Sequence, residues 1–148
     1  MALFRALETQ RNSNDKLFSD DYAIHFLEAK LRFASHMSKY SIIRKYISNT
    51  IQKKIPGAFS SGIARTKYID DLLKSTITNG VKQVIILGAG FDTIALRLAF
   101  LESIPVIEID HPNTSKFKIA TYKSRIGQLP QLSEVFLPKR YANVSDFA

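Results

Sequence analysis

The feature that most constrains this fold is a glycine turn placed between an apolar run and a helical pattern. Residues 82–87 form a short run rich in Val and Ile, as a buried parallel strand does. Gly88-Ala89-Gly90 follows, and apolar side chains then recur at helical spacing over residues 91–101. Glycines at positions 88 and 90 allow positive φ angles and remove the Cβ that would block a ligand. This order of strand, turn and helix predicts a nucleoside-binding α/β fold.

The rest of the chain extends the same alternation. Residues 105–110 are a second strand candidate, and His111-Pro112 opens a helix that Leu129-Pro130 ends. Residues 141–144 are expected to begin a third strand. The pattern predicts the first part of a doubly wound, Rossmann-like α/β sheet that ends after its third strand. We expect one structural domain, in which a helical region (1–79) packs on a partial Rossmann-like region (80–148).

Three helices are predicted ahead of the first strand. Residues 1–18 are weakly patterned, which predicts an arm or a short helix, and the first clear helix begins at Ser19. The second covers residues 38–55 and ends at Pro56-Gly57, and the third covers residues 61–78 and ends at Asn79-Gly80. The apolar residues at helical spacing are Ile24, Leu27, Leu31 and Ala34, then Ile43, Ile47 and Ile51, then Ile69, Leu72, Leu73 and Ile77.

An acidic residue stands where a nucleoside site needs one. Asp110 lies 20 residues after Gly90, at the carboxyl end of the second strand. An acid at this place can accept hydrogen bonds from the hydroxyls of a ribose. Glu108 alternates with it and is a second candidate, although Asp110 is better placed at the open end of the strand. The alternative is that Asp110 caps the helix that follows it.

The residues after the turn discriminate between adenine cofactors. A dinucleotide fingerprint has Gly or Ala at its sixth position, whereas this chain has Thr93 there. Asp92 would repel a pyrophosphate, but its carboxylate would attract the ammonium of S-adenosylmethionine. An acid in the first turn of a helix is also stabilised by the helix dipole, so a purely structural role stays open for Asp92.

Four segments together resemble a known family, the leucine carboxyl methyltransferases and their bacterial relatives. They are residues 15–23, 64–73, 83–98 and 106–112. The third and fourth contain L-G-A-G-x-D-T and E-x-D-x-P, and the second contains an Arg-Thr pair. The resemblance covers roughly residues 15–118, and the combination of these motifs is far more specific than the glycines alone.

The resemblance implies a class I methyltransferase fold with S-adenosyl-L-methionine as methyl donor and an oxygen of a carboxylate or hydroxyl as acceptor. It implies that Arg65 holds the carboxylate of the cofactor, as the planar fork of an arginine can. It also places Asp110 on the ribose and an Asp-Leu pair near the adenine, and Asp146-Phe147 looks like that pair with Phe in place of Leu. The expected cofactor-binding residues are Arg65, Gly88, Ala89, Gly90, Asp92, Asp110, Asp146 and Phe147.

The resemblance reaches only the N-terminal half of such an enzyme. We therefore expect the first strand to present an apolar open edge, which invites pairing with another chain. No general base or substrate contact can be named, so catalytic residues stay unknown and activity of this chain alone is in question. Two other functions stay open, an NAD(P)-dependent oxidoreductase domain and a truncated, non-catalytic relative that acts as an interaction module.

The charge, hydrophobicity and composition of the chain disfavour several classes of partner and location. Its net charge is +8, from 21 basic and 13 acidic residues, but no dense basic run with interleaved aromatics favours nucleic acid. No apolar stretch approaches the ~20 residues that a membrane span needs, and residues 1–10 do not resemble a secretory signal. The chain has no cysteine, and its three histidines lack metal-ligand spacing. We expect a cytoplasmic protein without a bound metal, whose partner is a small-molecule or protein methyl acceptor.

Overall fold

A computed structural model describes residues 1–127 of the chain. The third strand expected at residues 141–144 and the Asp146-Phe147 pair lie outside the described residues. The helices and strands, in chain order, are α1 (Ala2–Thr9), α2 (Ala29–Met37), α3 (Ser41–Lys54), α4 (Ala58–Thr78), β1 (Val84–Leu87), α5 (Ile94–Arg97), β2 (Val106–Ile109) and α6 (Pro112–Thr121).

The two strands form a parallel pair. Val84 lies opposite Val106, and Leu87 lies opposite Ile109. Parallel strands cannot be joined by a tight turn, so the chain between them crosses over through α5 and a 3₁₀ turn. This arrangement confirms the prediction of a partial Rossmann-like α/β fold preceded by helices.

One face of the strand pair is covered by α4. Val84 and Val106 are buried together with Ile94 and Leu101. Three of the inward-facing residues predicted for α4 pack against this cluster: Ile69, Leu73 and Ile77. They recur every four residues and therefore share one side of the helix. Leu72, predicted to face inward with them, is 46% exposed because it lies off that side.

The first eighteen residues are not a loose arm. They begin with α1, an amphipathic helix that buries Ala2, Ala6 and Leu7. Ala2 and Ala6 join a second apolar cluster with Phe26 and Tyr122. The short-helix alternative is therefore the confirmed one, and burial of one face fixes α1 on the rest of the molecule.

The predicted continuous helix from Ser19 is wrong. A 3₁₀ turn covers Ala23–Phe26, and the backbone of Leu27 is then extended, with φ −89° and ψ 145°. The carboxylate of Asp20 accepts the N–H of Ala23 at 3.0 Å, which stabilises a turn rather than a long helix. Leu31, expected to face inward, is 41% exposed on the separate helix α2.

The helix predicted over residues 91–101 is also wrong in extent. It is divided into α5 and a 3₁₀ turn at Ala99–Leu101, with Leu98 between them at φ −100° and ψ 92°. In contrast, α3 and α4 follow their predicted ranges within three residues, and α4 ends before Asn79-Gly80 as expected. The helix after His111-Pro112 begins as predicted, but it changes to a π-helical turn at Tyr122–Ile126.

Candidate functional site

The glycine turn after β1 has the conformation that its sequence predicts. Gly88 and Gly90 have φ angles of +66° and +52°, values that side chains with a Cβ rarely adopt. The N–H of Gly88 donates to the carbonyl of Ile109 at 2.7 Å, which ties the turn to the end of β2. A Cβ built on Gly88 would meet no heavy atom within 4 Å, so this part of the turn faces open space.

That open space is a cavity of about 300 Å³. The glycine turn forms one wall, and residues of α1 and α4 form the opposite walls. The cavity brings together five of the residues predicted to bind a cofactor: Arg65, Gly88, Ala89, Gly90 and Asp92. Residues far apart in sequence thus converge on one concave site, as a small-molecule site requires.

Three arginines line the cavity, and two of them already have acidic partners. Arg5 donates to Asp20 at 2.7 Å, and Arg97 makes a two-pronged pair with Asp70 at 2.5 and 2.6 Å. The side chain of Arg65 is exposed at the cavity, and within residues 1–127 it has no ion pair. The guanidinium that remains able to bind an anionic ligand is therefore that of Arg65.

Asp20 organises the wall behind these arginines, a role that the sequence did not reveal. Its side chain is fully buried and accepts hydrogen bonds from Arg5, the N–H of Ala23 and the hydroxyl of Thr93, at 2.7, 3.0 and 2.6 Å. Arg97 approaches the same carboxylate at 3.8 Å. One available signal was Arg97, a charge inside an otherwise apolar run, since a buried charge needs a partner.

Asp92 accepts a hydrogen bond from the nearby backbone and also lines the cavity. Its Oδ1 accepts the N–H of Ile94 at 2.7 Å, a local turn contact just ahead of α5. Thr93 is the N-cap, so Asp92 lies before the first turn of α5, whereas the dipole alternative expected it within that turn. The residue also lines the cavity beside the glycine turn. The contact with Ile94 uses one of its two oxygens, so the side chain can still accept a hydrogen bond from a ligand.

Asp110 lies on the other side of the turn. It is absent from the walls of the main cavity and lines a pocket of only about 10 Å³, which shares Ala89 and Gly90 with that cavity. Its carboxylate accepts the N–H of Gly90 and, at 2.6 Å, the N–H of His111. The cap of α6 is His111, whose Nδ1 accepts the N–H of Asn113 at 3.3 Å. Asp110 therefore braces the glycine turn rather than capping the helix.

Glu108, the other acid considered for the ribose, belongs to the interior. It is 6% exposed and pairs with the buried Lys118 at 2.6 Å. Burial raises the pKa of the Glu108 carboxyl, against the opposing effect of the Lys118 ammonium. Glu108 lines the same small pocket as Asp110, but its Oε2 is held by Lys118, so Asp110 stays the predicted acid for a ribose.

Comparison with known proteins identifies the family. Residues 1–142 match the model of the leucine carboxyl methyltransferase family. The chain belongs to this family. The segments that carry the resemblance lie together in the fold, since the Arg65-Thr66 pair of α4 and the glycine turn after β1 line the same cavity.

The individual relatives are named as methyltransferases. A candidate S-adenosyl-L-methionine-dependent methyltransferase of Streptomyces coelicolor is 34% identical over 125 residues, which are 83% of this chain and 41% of that protein. One of Rhodococcus jostii is 35% identical over 120 residues, 80% of this chain and 37% of that protein. One of a Mycobacterium species (strain MCS) is 29% identical over 133 residues, 90% and 51% respectively. The chain thus spans about half or less of the length of the relatives it matches.

Proposed function

We propose that this member of the leucine carboxyl methyltransferase family is the cofactor-binding part of an S-adenosyl-L-methionine-dependent methyltransferase. The observation that carries the proposal is the cavity in which Arg65 faces the glycine turn. Its volume, about 300 Å³, reaches the lower end of the range of small-molecule sites. The names of the relatives in Streptomyces, Rhodococcus and Mycobacterium support the same cofactor.

The methionine part of the cofactor matches the charges of the main cavity. Arg65 binds the carboxylate, because its guanidinium offers a planar pair of donors. Asp92 attracts the ammonium with the oxygen that does not accept the N–H of Ile94. Gly88, Ala89 and Gly90 let the cofactor approach the backbone closely, and the open space above Gly88 supports this role.

The adenosine part is assigned to the Asp110 side of the turn on the resemblance, and the pocket there, about 10 Å³, has to widen to admit a ribose. Asp110 accepts one N–H on each oxygen, so each oxygen keeps a second lone pair for a ribose hydroxyl. Asp146 and Phe147 are proposed near the adenine on the resemblance alone. Residues 1–79 and 80–148 then act as one unit, because the helical part contributes Arg65 and the Rossmann-like part contributes the turn and Asp110.

The bound cofactor would supply an activated methyl group for transfer to an oxygen of a carboxylate or hydroxyl, on a small molecule or a protein. Direct transfer depends on holding donor and acceptor close and in line. The residues named here hold the cofactor, and no catalytic base is assigned. An NAD(P)-dependent oxidoreductase is disfavoured by the family, and also by Asp92, which would place a carboxylate beside a pyrophosphate.

Calorimetry with S-adenosylhomocysteine tests the proposed cofactor. Folded protein, checked by circular dichroism, is expected to bind this product with a dissociation constant below the millimolar range, and NADH is expected to bind more weakly. No binding of S-adenosylhomocysteine by folded protein at millimolar ligand, or tighter binding of NADH, would contradict the proposal.

A second candidate function, self-association, is favoured by the exposure of β1. Ile85 and Leu87 are 55% and 76% exposed, and within residues 1–127 β1 pairs with β2 alone. Light scattering is expected to give a mass above one chain, and Leu87→Lys is expected to return it to one chain because a charge opposes edge pairing. Lys82→Glu, a charge change before the strand, is the control. A monomer in wild-type protein would refute this candidate.

A further inference from the structure

The positive charge of the chain is concentrated in one stretch of its helical region. Residues 29–69 contain nine Lys and Arg and no Asp or Glu, whereas the other 107 residues contain twelve basic and thirteen acidic ones. This stretch therefore accounts for the entire net charge of +8. Arg65 is one of the nine, but most of the others lie on α2 and α3, away from the cofactor cavity.

Some of these basic residues line a groove along one side of α3. Ser41, Arg44, Lys45 and Ser48 follow the spacing of three, four and seven residues that places side chains on one helical face. This face lines a depression of about 300 Å³. The residues that line this basic groove are Ser41, Arg44, Lys45 and Ser48 of α3, with Arg11 and Phe59 opposite.

Of the three cations of the basic groove, Arg11 has an acidic partner, whereas Arg44 and Lys45 have none within residues 1–127. Arg11 donates to the buried carboxylate of Glu8 at 3.3 Å, and Glu8 also accepts the N–H of Leu17 at 2.8 Å. Arg44 donates through one nitrogen to the backbone carbonyls of Gln10 and Ser38, at 3.5 and 3.4 Å, and carbonyls carry no net charge. Arg44 therefore keeps its charge and its other donors.

The remaining groups of the groove add donors. Within residues 1–127, Lys45 has no acidic partner. Ser41 and Ser48 supply hydroxyls, and Ser41 is the first residue of α3, where backbone N–H groups point away from the helix. Phe59, whose ring packs edge-on against Phe4 at 5.5 Å, gives the groove one rigid apolar wall.

We propose that the basic groove is a second binding site, which takes a small molecule carrying a phosphate or diphosphate group. Two cations without acidic partners, Arg44 and Lys45, and two hydroxyls match a doubly charged group with three oxygens better than a single carboxylate. The concave shape fits a small ligand, whereas a nucleic acid would contact cations spread along a surface. This site is separate from the cofactor cavity and does not depend on the function proposed for it.

Calorimetric titration with inorganic pyrophosphate, at constant ionic strength, tests the proposal on the whole chain. Lys45→Gln and Arg44→Gln are each expected to weaken binding about tenfold, because each removes a charge-assisted hydrogen bond. Within residues 1–127 the side chain of Lys45 makes no hydrogen bond and no ion pair, so the Lys45 variant carries the test even if Arg44→Gln unfolds. Lys54→Gln, in the last turn of the same helix, is the charge-matched control and should change the dissociation constant less than twofold.

Three results would overturn the proposal. The first is no binding of pyrophosphate by wild-type protein at millimolar concentration. The second is an equal loss of pyrophosphate affinity in Lys54→Gln and Lys45→Gln, because diffuse surface charge then explains the binding. The same conclusion follows if a short DNA duplex binds more tightly than pyrophosphate and both variants weaken its binding equally. The third is a loss in Arg65→Gln but not in Lys45→Gln, which would place the anion in the cofactor cavity.

Discussion

Replacing Asp20 by alanine is expected to lower the free energy of unfolding by about 3–5 kcal/mol. The carboxylate is fully buried and accepts hydrogen bonds from Arg5, Thr93 and the backbone of Ala23. Without it, the guanidinium of Arg5 stays buried with no acidic partner, and Arg97 loses the negative charge at 3.8 Å from its Nε. Removal of one partner of a buried ion pair costs more than the pair itself contributes.

Urea denaturation followed by circular dichroism measures this loss. The midpoint is expected to fall while the dependence on denaturant stays the same, because the extent of the fold does not change. Asp71→Ala is the matched control: Asp71 is 60% exposed and pairs with the surface residue Lys67, so its loss should cost less than about 0.5 kcal/mol. Equal midpoints for the Asp20 and Asp71 variants would show that the network around Asp20 does not hold the fold.

Replacing Arg65 by glutamine is expected to weaken S-adenosylhomocysteine binding by about 10- to 100-fold, the loss expected for a charge-assisted hydrogen-bond pair. Of the three arginines that line the cavity, Arg5 and Arg97 hold buried acids, and Arg65 faces the cavity without one in the described part of the chain. Arg65→Lys should recover part of the affinity, since it restores the charge but not the planar fork.

A second ligand makes this test specific for the carboxylate. Adenosine lacks the methionine part, so Arg65→Gln should leave its affinity unchanged within twofold. Lys67→Gln, two residues further along α4 and paired with Asp71 on the surface, should change neither affinity. A parallel loss for adenosine and S-adenosylhomocysteine would mean that Arg65 supports the cavity wall instead of binding the carboxylate.

The turn at the centre of the site was predictable from local sequence. A buried strand that must reverse into a helix needs residues that accept positive φ, and Gly88 and Gly90 have it. Helices α3 and α4 were predictable for a similar reason, since Pro56, Gly57 and Asn79-Gly80 end them through their own backbone preferences. In each case the cause lies within a few residues.

The sequence-based predictions are wrong where contacts with distant side chains override the local helical spacing. Residues 91–101 have helical spacing, yet Thr93 and Arg97 are held by Asp20 and Asp70, which are 73 and 27 residues away. Thr93 stood out in the sequence only as a departure from the dinucleotide fingerprint. Its hydroxyl in fact donates to the buried carboxylate of Asp20, and no local pattern predicts a contact between residues so far apart.

The sequence by itself determined the parallel α/β pattern and the glycine turn, because both depend on short-range backbone preferences. It also determined the family, because the family motifs are contiguous stretches of residues. Only the tertiary structure decided which charges stay available to a ligand. It paired Arg5, Arg97 and Glu108 with buried partners and left Arg65 at the cavity. The physical reason is that burial makes an unpaired charge costly, and the chain's folding alone determines which charges are buried together.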